Sequence, residues 1–245
     1  KPATRLVGLG RLPQEALAVL PDRLASQNIQ GQLMQLGRDF HVTPVQEGKG
    51  MAKRSWQVTL PSGRCFDQVT IAMLGQHQGD NLALALAGFE AWMINKKKEI
   101  HWDLALSALE QVTWQGRLEC LSHEPLILVD GAHNSQGLQA FDYFLAHDLA
   151  DYQVTLIFAG LKRKDQASHL TYLHKWAEEG VEVYLSTFDY PGAMTQADWQ
   201  AQTALPFLDW QSKLVDYQAS QKHAKKALIL TGSLYFISQV KEFFR

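Results

Sequence analysis

Residues 126–137, LILVDGAHNSQG, run four apolar side chains into Asp130, two small residues, His133 and Asn134. These are residue types that do chemistry at the end of a strand. Asp130 can accept hydrogen bonds from ribose hydroxyls or an amine, and Gly131 and Ala132 let the backbone come close to a ligand. His133 adds a charge that switches near neutral pH. A helix starting near Asn134 or Ser135 would offer free N–H groups and a positive dipole end to a carboxylate or phosphate. A simpler reading stands beside this one: Asp130 and Asn134 cap the helix, and His133 covers the strand end. Spacing alone leaves both open.

The elements around this stretch set where it must sit. From residue 126 onward, the runs LILV (126–129), VTLIFA (154–159), VEVYL (181–185) and ALILT (227–231) alternate with helical patterns. Strands apolar at consecutive positions are buried on both faces, which predicts an α/β fold with a Rossmann-like parallel sheet in the C-terminal half. Asp130 then lies at the carboxyl end of the first of these strands, the edge at which open α/β sheets bind ligands. The helix after it is amphipathic, with Leu138, Phe141, Leu145 and Leu149 on one face.

Upstream, GRDFHVTPV, RSWQVTL and RCFDQVTIAML are separated by QEGKGMAK and PSG, the pattern of a small antiparallel sheet with hairpin turns. A helix follows, with Leu82, Leu86, Phe89 and Met93 on one face and Asp80 or Asn81 placed to cap its start. The first forty residues read as one strand and one helix. A β-α unit needs strands to pair with, so its neighbouring strands are expected to lie outside this chain.

Composition narrows the function. Net charge is −2 with the two signs interspersed, so no field favours nucleic acid, and Lys96, Lys97 and Lys98 read as the solvated end of a helix. Two cysteines, Cys65 and Cys120, and nine scattered histidines without an HxxxH or CxxC pair build neither a disulfide framework nor a zinc site. No apolar run reaches the ~20 residues needed to span a bilayer, and KPATRLVGLG has no secretory signal pattern. The expectation is a cytoplasmic protein without membrane or nucleic-acid partners. The chain does not begin with Met, which reads as part of a longer product.

Two further segments join the first. LGQHQGDN (74–81) and WQGRLECL (114–121) precede DGAHN, and in this order the three resemble the Mur ligase superfamily, most closely folylpolyglutamate synthase, with or without dihydrofolate synthase activity. Those proteins show a G-HQ--N segment, a PGR-E segment at the interdomain linker and DGAHNP at the start of the C-terminal domain. FAGLKRKD (158–165), LSTFDYPGA (185–193) and TGSLYFISQV (231–240) are similar to later family segments. Gln115 and Ser135 stand where the family has Pro, and neither change removes a charge.

The resemblance implies residues 1–115 as the C-terminal part of the central ATP-binding domain, containing the small antiparallel sheet, and 116–245 as the glutamate-ligase domain. It implies an ATP-dependent ligase that adds L-glutamate to a folate, or to dihydropteroate, through an acyl phosphate. ATP and Mg²⁺ are the implied cofactors, and the protein is expected as a monomer. ATP contacts fall on Asn81, Arg117 and Asp130, while His133 faces the phosphate or incoming glutamate and Ser135 the glutamate carboxylate. Each has a plainer reading: an N-cap for Asn81, a salt bridge with Glu119 for Arg117, packing for His133 and capping for Ser135. His77 and Gln78 either position adenine or cap a turn, and Lys164 and Asp165 either hold an amino-acid zwitterion or are solvated. Tyr190, Trp199 and Trp210 read as core or surface aromatics rather than a pterin platform. No G-x-x-x-x-G-K-[ST] occurs among the 245 residues. The P-loop and metal ligands are therefore expected upstream, with the chain alone inactive. The alternatives are a non-catalytic nucleotide-binding module and another Mur-type amino-acid ligase.

Overall fold

Strand-length apolar runs separated by helical periodicity dictate layers, and the computed structural model shows them. It describes residues 6–26, 31–46, 50–132, 134–162, 166–219 and 225–244. The elements in chain order are β1 (Leu6–Leu9), α1 (Gln14–Ser26), β2 (Gln32–Gln35), β3 (His41–Gln46), β4 (Arg54–Thr59), β5 (Cys65–Ile71), α2 (His77–Asn95) and α3 (Trp102–Leu109). They continue with β6 (Glu119–His123), β7 (Leu126–Asp130), α4 (Ser135–Asp148), β8 (Gln153–Ala159), α5 (Gln166–Glu178) and β9 (Glu182–Leu185). The last four are α6 (Gln196–Gln200), α7 (Trp210–Ala219), β10 (Lys226–Gly232) and α8 (Leu234–Phe244). The chain divides into two compact units, one drawn from residues 1–48, 52–72 and 76–112 and the other from 49–51, 73–75 and 113–245.

In the first unit β3, β4 and β5 form an antiparallel sheet in that order, as the hairpin signals require. Its turn at Ser62 is tied to α2 through buried Glu90, which accepts from the Ser62 hydroxyl at 2.7 Å and its amide at 3.3 Å. Two expectations are corrected. β1 pairs in parallel with β2, so one neighbouring strand lies inside the chain; QLMQ is too short and polar to announce itself as a strand. Helix α2 starts at His77, not at Asp80 or Asn81. Gly75, at φ 96°, turns the chain so that Gln76 is already helical, which puts Asp80 and Asn81 inside the first turns. Lys96 is the C-cap of α2, and Lys96, Lys97 and Lys98 are exposed.

The second unit is a five-stranded sheet of order β6-β7-β10-β8-β9, parallel except for β6, which runs antiparallel to β7. Side chains alternate between two cores, as the period of two demands. Leu126, Leu128, Leu156, Phe158 and Ile229 pack with Phe141 and Phe144 of α4 and Trp176 of α5. Ile127, Val129, Ile157, Leu228 and Leu230 pack with Trp210 and Leu214 of α7 and Phe236 and Val240 of α8. The chain steps outward from β7 to β8 to β9 and then returns to β10. Right-handed crossovers put helices of opposite stepping direction on opposite faces.

The connections leaving β8 and β10 therefore diverge to opposite faces, opening a crevice at the carboxyl edge of the sheet. On the outer side of that layer, Asp142 of α4 accepts from Lys175 at 2.7 Å and from the indole N–H of Trp176 at 2.8 Å. Asp142→Ala orphans the N–H of an indole that is 1% exposed. We expect a loss of about 1–3 kcal/mol in denaturant unfolding, against a far smaller loss for Lys175→Ala.

Candidate functional site at the carboxyl edge of the parallel sheet

Buried carboxylates need partners, and Asp130 finds two in the backbone. The residue is 6% exposed. One oxygen accepts from the amide of Leu118 at 2.8 Å and the other from the amide of Ala132 at 2.8 Å. The first bond reaches back to the linker before β6, and the second folds the turn that follows β7. Gly131 adds a third tie, its amide donating to the carbonyl of Gly116 at 2.7 Å. Asn134 then caps α4 in extended geometry, its side chain accepting from the amide of Gly137 at 2.8 Å. Capping is thus the role of Asn134 but not of Asp130, which staples two segments together.

The stapled linker has an unusual backbone. Gly116 (φ 67°) and Leu118 (φ 44°) are both left-handed, with Arg117 between them. Leu118 is 3% exposed and packs into the core below, while Arg117 is exposed. A non-glycine residue held at positive φ is costly, and the Asp130 bond to its amide is what repays Leu118. The plainer reading of Arg117, a salt bridge to Glu119, is not what forms. Glu119 accepts from the amide of Gly116 at 2.7 Å and pairs with Lys241 of α8 at 2.7 Å. Among the described residues, Arg117 makes no ion pair.

In the first unit, the start of α2 brings His77, Gln78 and Asn81 together. Gln78, 4% exposed, donates toward the His77 ring at 3.0 Å and accepts from the Asn81 amide at 3.0 Å. Asn81 is exposed and does not cap the helix. Asp80 beside it is paired with Arg11 at 2.9 Å.

At the carboxyl edge of the second unit, three segments converge. The amide of Ser186 donates to Phe158 at 2.9 Å, that of Met194 to Gly160 at 2.9 Å and that of Ser233 to Ala159 at 2.9 Å. Gly232 (φ 120°) permits this approach, since a Cβ there would run into the Ala159 carbonyl. Between the diverging connections is a cavity of about 110 Å³ that includes Gly160, Leu161, His169, Ser233 and Tyr235. Ser233 immediately precedes α8, its hydroxyl accepting from the Tyr235 amide at 3.3 Å. Tyr235 stacks on Tyr190 at 4.1 Å between ring centroids, so Tyr190 belongs to the rim of this edge, while Trp199 and Trp210 are core. Lys162 is paired with Asp198 at 2.8 Å. That pairing, helped by Thr195, holds the Asp198 carboxyl down at about 2.

His133, Lys164 and Asp165 lie outside the described residues. Ser135 is the first residue of α4. Sequence reasoning missed Lys241, Ser233, Tyr235 and His169 as site residues. TGSLYFISQV already marked Ser233 and Tyr235 as part of a segment of interest, whereas Lys241 and His169 carry no local signal.

The second unit is thus a mostly parallel α/β sheet with Asp130 at its carboxyl edge, and the first carries a small antiparallel sheet. Among known proteins, the chain is similar to curated folylpolyglutamate and dihydrofolate synthases. It is 28% identical over 184 residues to the dihydrofolate synthase/folylpolyglutamate synthase of Bacillus subtilis, covering 73% of this chain and 42% of that protein. It is 28% identical over 239 residues to the folylpolyglutamate synthase of Lacticaseibacillus casei, covering 95% of this chain and 52% of that one. The chain thus spans about half the length of the curated relatives it matches. The crystal structure of Mycobacterium tuberculosis folylpolyglutamate synthase complexed with ADP and AMPPCP superposes with a TM-score of 0.79 at 22% identity, over 98% of this chain and 55% of that one. The fold is shared with that enzyme. No family model matches the sequence. Among the described residues, no helix is long and apolar enough to cross a membrane.

Because both Asp130 oxygens are built into the backbone, Asp130→Ala is expected to cost about 1–3 kcal/mol of stability in denaturant unfolding. At Asp198 the folded value lies below the ordinary 3.8, so its contribution is present above about pH 4 and is lost as the pH falls toward 2. A carboxyl carbon resonance of Asp198 titrating near 2 in NMR, and shifting up in Lys162→Met, checks the pairing.

Proposed function

We propose that this chain is part of an ATP-dependent ligase that joins L-glutamate to a folate, of the folylpolyglutamate synthase type, with or without dihydrofolate synthase activity. The observation that carries this reading is the similarity to the Lacticaseibacillus casei enzyme along 95% of the chain, with LGQHQGDN, WQGRLECL and DGAHN in order. The fold shared with an ADP- and AMPPCP-bound synthase supports a nucleotide as one ligand.

The chemistry follows from the reactants. A carboxylate is a poor electrophile. Its oxygen attacks the γ-phosphorus of ATP, the bond to the β-γ bridging oxygen breaks, and ADP leaves with an acyl phosphate formed. The amine of L-glutamate then attacks the acyl carbon, loses a proton, and expels phosphate as the amide forms. Water must be kept from the acyl phosphate in between. Arg117, held outward by the stapled linker, is suited to the paired hydrogen bonds of a planar guanidinium with ribose or phosphate oxygens. Asn81 is assigned to ATP in the first unit. Asp130 shapes the turn and is assigned to the nucleotide at the same edge. His133 is assigned to the phosphate or incoming amine, and Ser135 at the start of α4 to the glutamate carboxylate. Among the described residues no cluster of His, Cys, Asp and Glu would hold a metal ion.

Three substitutions at two residues test the assignment in the full-length polypeptide that carries this chain. Arg117→Ala is the cleaner probe of ATP, because its side chain is exposed. It should raise KM for ATP about tenfold to a hundredfold with an unchanged melting temperature; an unchanged KM returns Arg117 to the surface. His133→Ala should lower kcat/KM for glutamate roughly a hundredfold, about 2.7 kcal/mol of transition-state stabilisation. His133→Asn separates the roles: normal glutamate kinetics there leave only hydrogen-bonded positioning.

A further inference from the structure

Arg117 is held from more than one side. Asp130 takes the amide of Leu118, and Gly131 takes the carbonyl of Gly116. The amide of Arg117 itself donates to the carbonyl of Trp114 at 3.3 Å, and the amide of Gly116 donates to Glu119 at 2.7 Å. Glu119 is fixed by Lys241, whose ammonium lies 2.7 Å from one carboxylate oxygen and 3.0 Å from the other. The two side chains are only 17% and 23% exposed, so this pair is far better shielded than a surface ion pair.

Lys241 is 124 residues from Arg117 in sequence but sits on a stripe of α8 that lies along the linker. Leu234, Ile237 and Lys241 recur at i, i+3 and i+7 and share one helix face. Leu234 and Ile237 lie over Gly116, each 3.4 Å from where a Cβ would stand, and Leu234 also covers Gly131. Lys241 completes the stripe in the last turn of α8, where a cation is favoured by the helix dipole. The same helix begins at the cavity, which Leu234 and Tyr235 of its first turn line.

We infer that Lys241 is a positioning residue for Arg117: through Glu119 and the Gly116 amide, it clamps the left-handed linker so that the guanidinium is presented outward. The consequence for ATP rests on the reading of Arg117 given under Proposed function. The clamp itself does not, and the experiment separates the two.

The test uses the full-length polypeptide carrying Lys241→Met, which keeps the stem and removes the charge, and Lys241→Arg, which restores it. Trypsin cuts after arginine, so the rate of cleavage at Arg117 reads the linker without reference to any ligand. Lys241→Met should raise that rate about fivefold or more, and Lys241→Arg should bring it back to near the parent rate. KM for ATP should rise about tenfold in Lys241→Met with kcat within about threefold. Combined with Arg117→Ala, Lys241→Met should add almost nothing, since both act through one group. An unchanged cleavage rate at Arg117 in Lys241→Met overturns the clamp. Faster cleavage in Lys241→Met, with the KM for ATP unchanged both there and in Arg117→Ala, keeps the clamp and removes ATP from Arg117. Should Lys241→Met not accumulate folded, Glu119→Gln, which retains an acceptor for Gly116 but not the ion pair, must give the same cleavage and KM changes, and parent values there overturn the inference.

Discussion

The second unit turns on one buried carboxylate. Asp130 closes β7, and its two oxygens hold two backbone amides twelve residues and two residues away. A carboxylate at 6% exposure is tolerated only because both oxygens are satisfied. The bond to Leu118 in turn stabilises a left-handed residue that would otherwise straighten the linker. Remove that acceptor, and the entry to the sheet, the turn into α4 and the outward presentation of Arg117 lose a common anchor.

Around that anchor, opposing demands are met by layering. The sheet is buried on both faces, so its ends are where polar chemistry is affordable. β10, last in sequence, lies between β7 and β8, and the connections leaving β8 and β10 part toward opposite faces. Helix α8, which follows β10, is amphipathic in two senses. Phe236 and Val240 enter the core, while Leu234, Ile237 and Lys241 run beside the linker. One helix thereby borders the cavity at its start and grips Glu119 near its end.

Polar groups at this edge fall into two sorts. Some are consumed by structure: Asn134 caps α4, Asp198 is held ionised by Lys162 and Thr195, and Glu119 is divided between Gly116 and Lys241. Arg117, by contrast, is presented, its side chain exposed. The distinction matters because a substitution in the consumed set perturbs folding first, whereas one in the presented set reads ligand contact directly.

Much of the architecture was legible in the sequence for a simple reason. Continuous apolar strands and 3.6-residue periodicity are local consequences of burial, so β7, β8, β9, β10 and α4 stand where LILV, VTLIFA, VEVYL, ALILT and the Leu138 face place them. The hairpins of β3, β4 and β5 were marked by turn residues. What failed was short or non-local. QLMQ has too little pattern to reveal β2, and the start of α2 was set by the turn at Gly75 rather than by a capping side chain. The motif residues were visible as types in order, but their partners were not. That Asp130 would be spent on Leu118 and Ala132, that Glu119 would choose Lys241 over Arg117, and that β10 would insert between β7 and β8 are decided by packing between segments far apart in the chain, where no local spacing reaches.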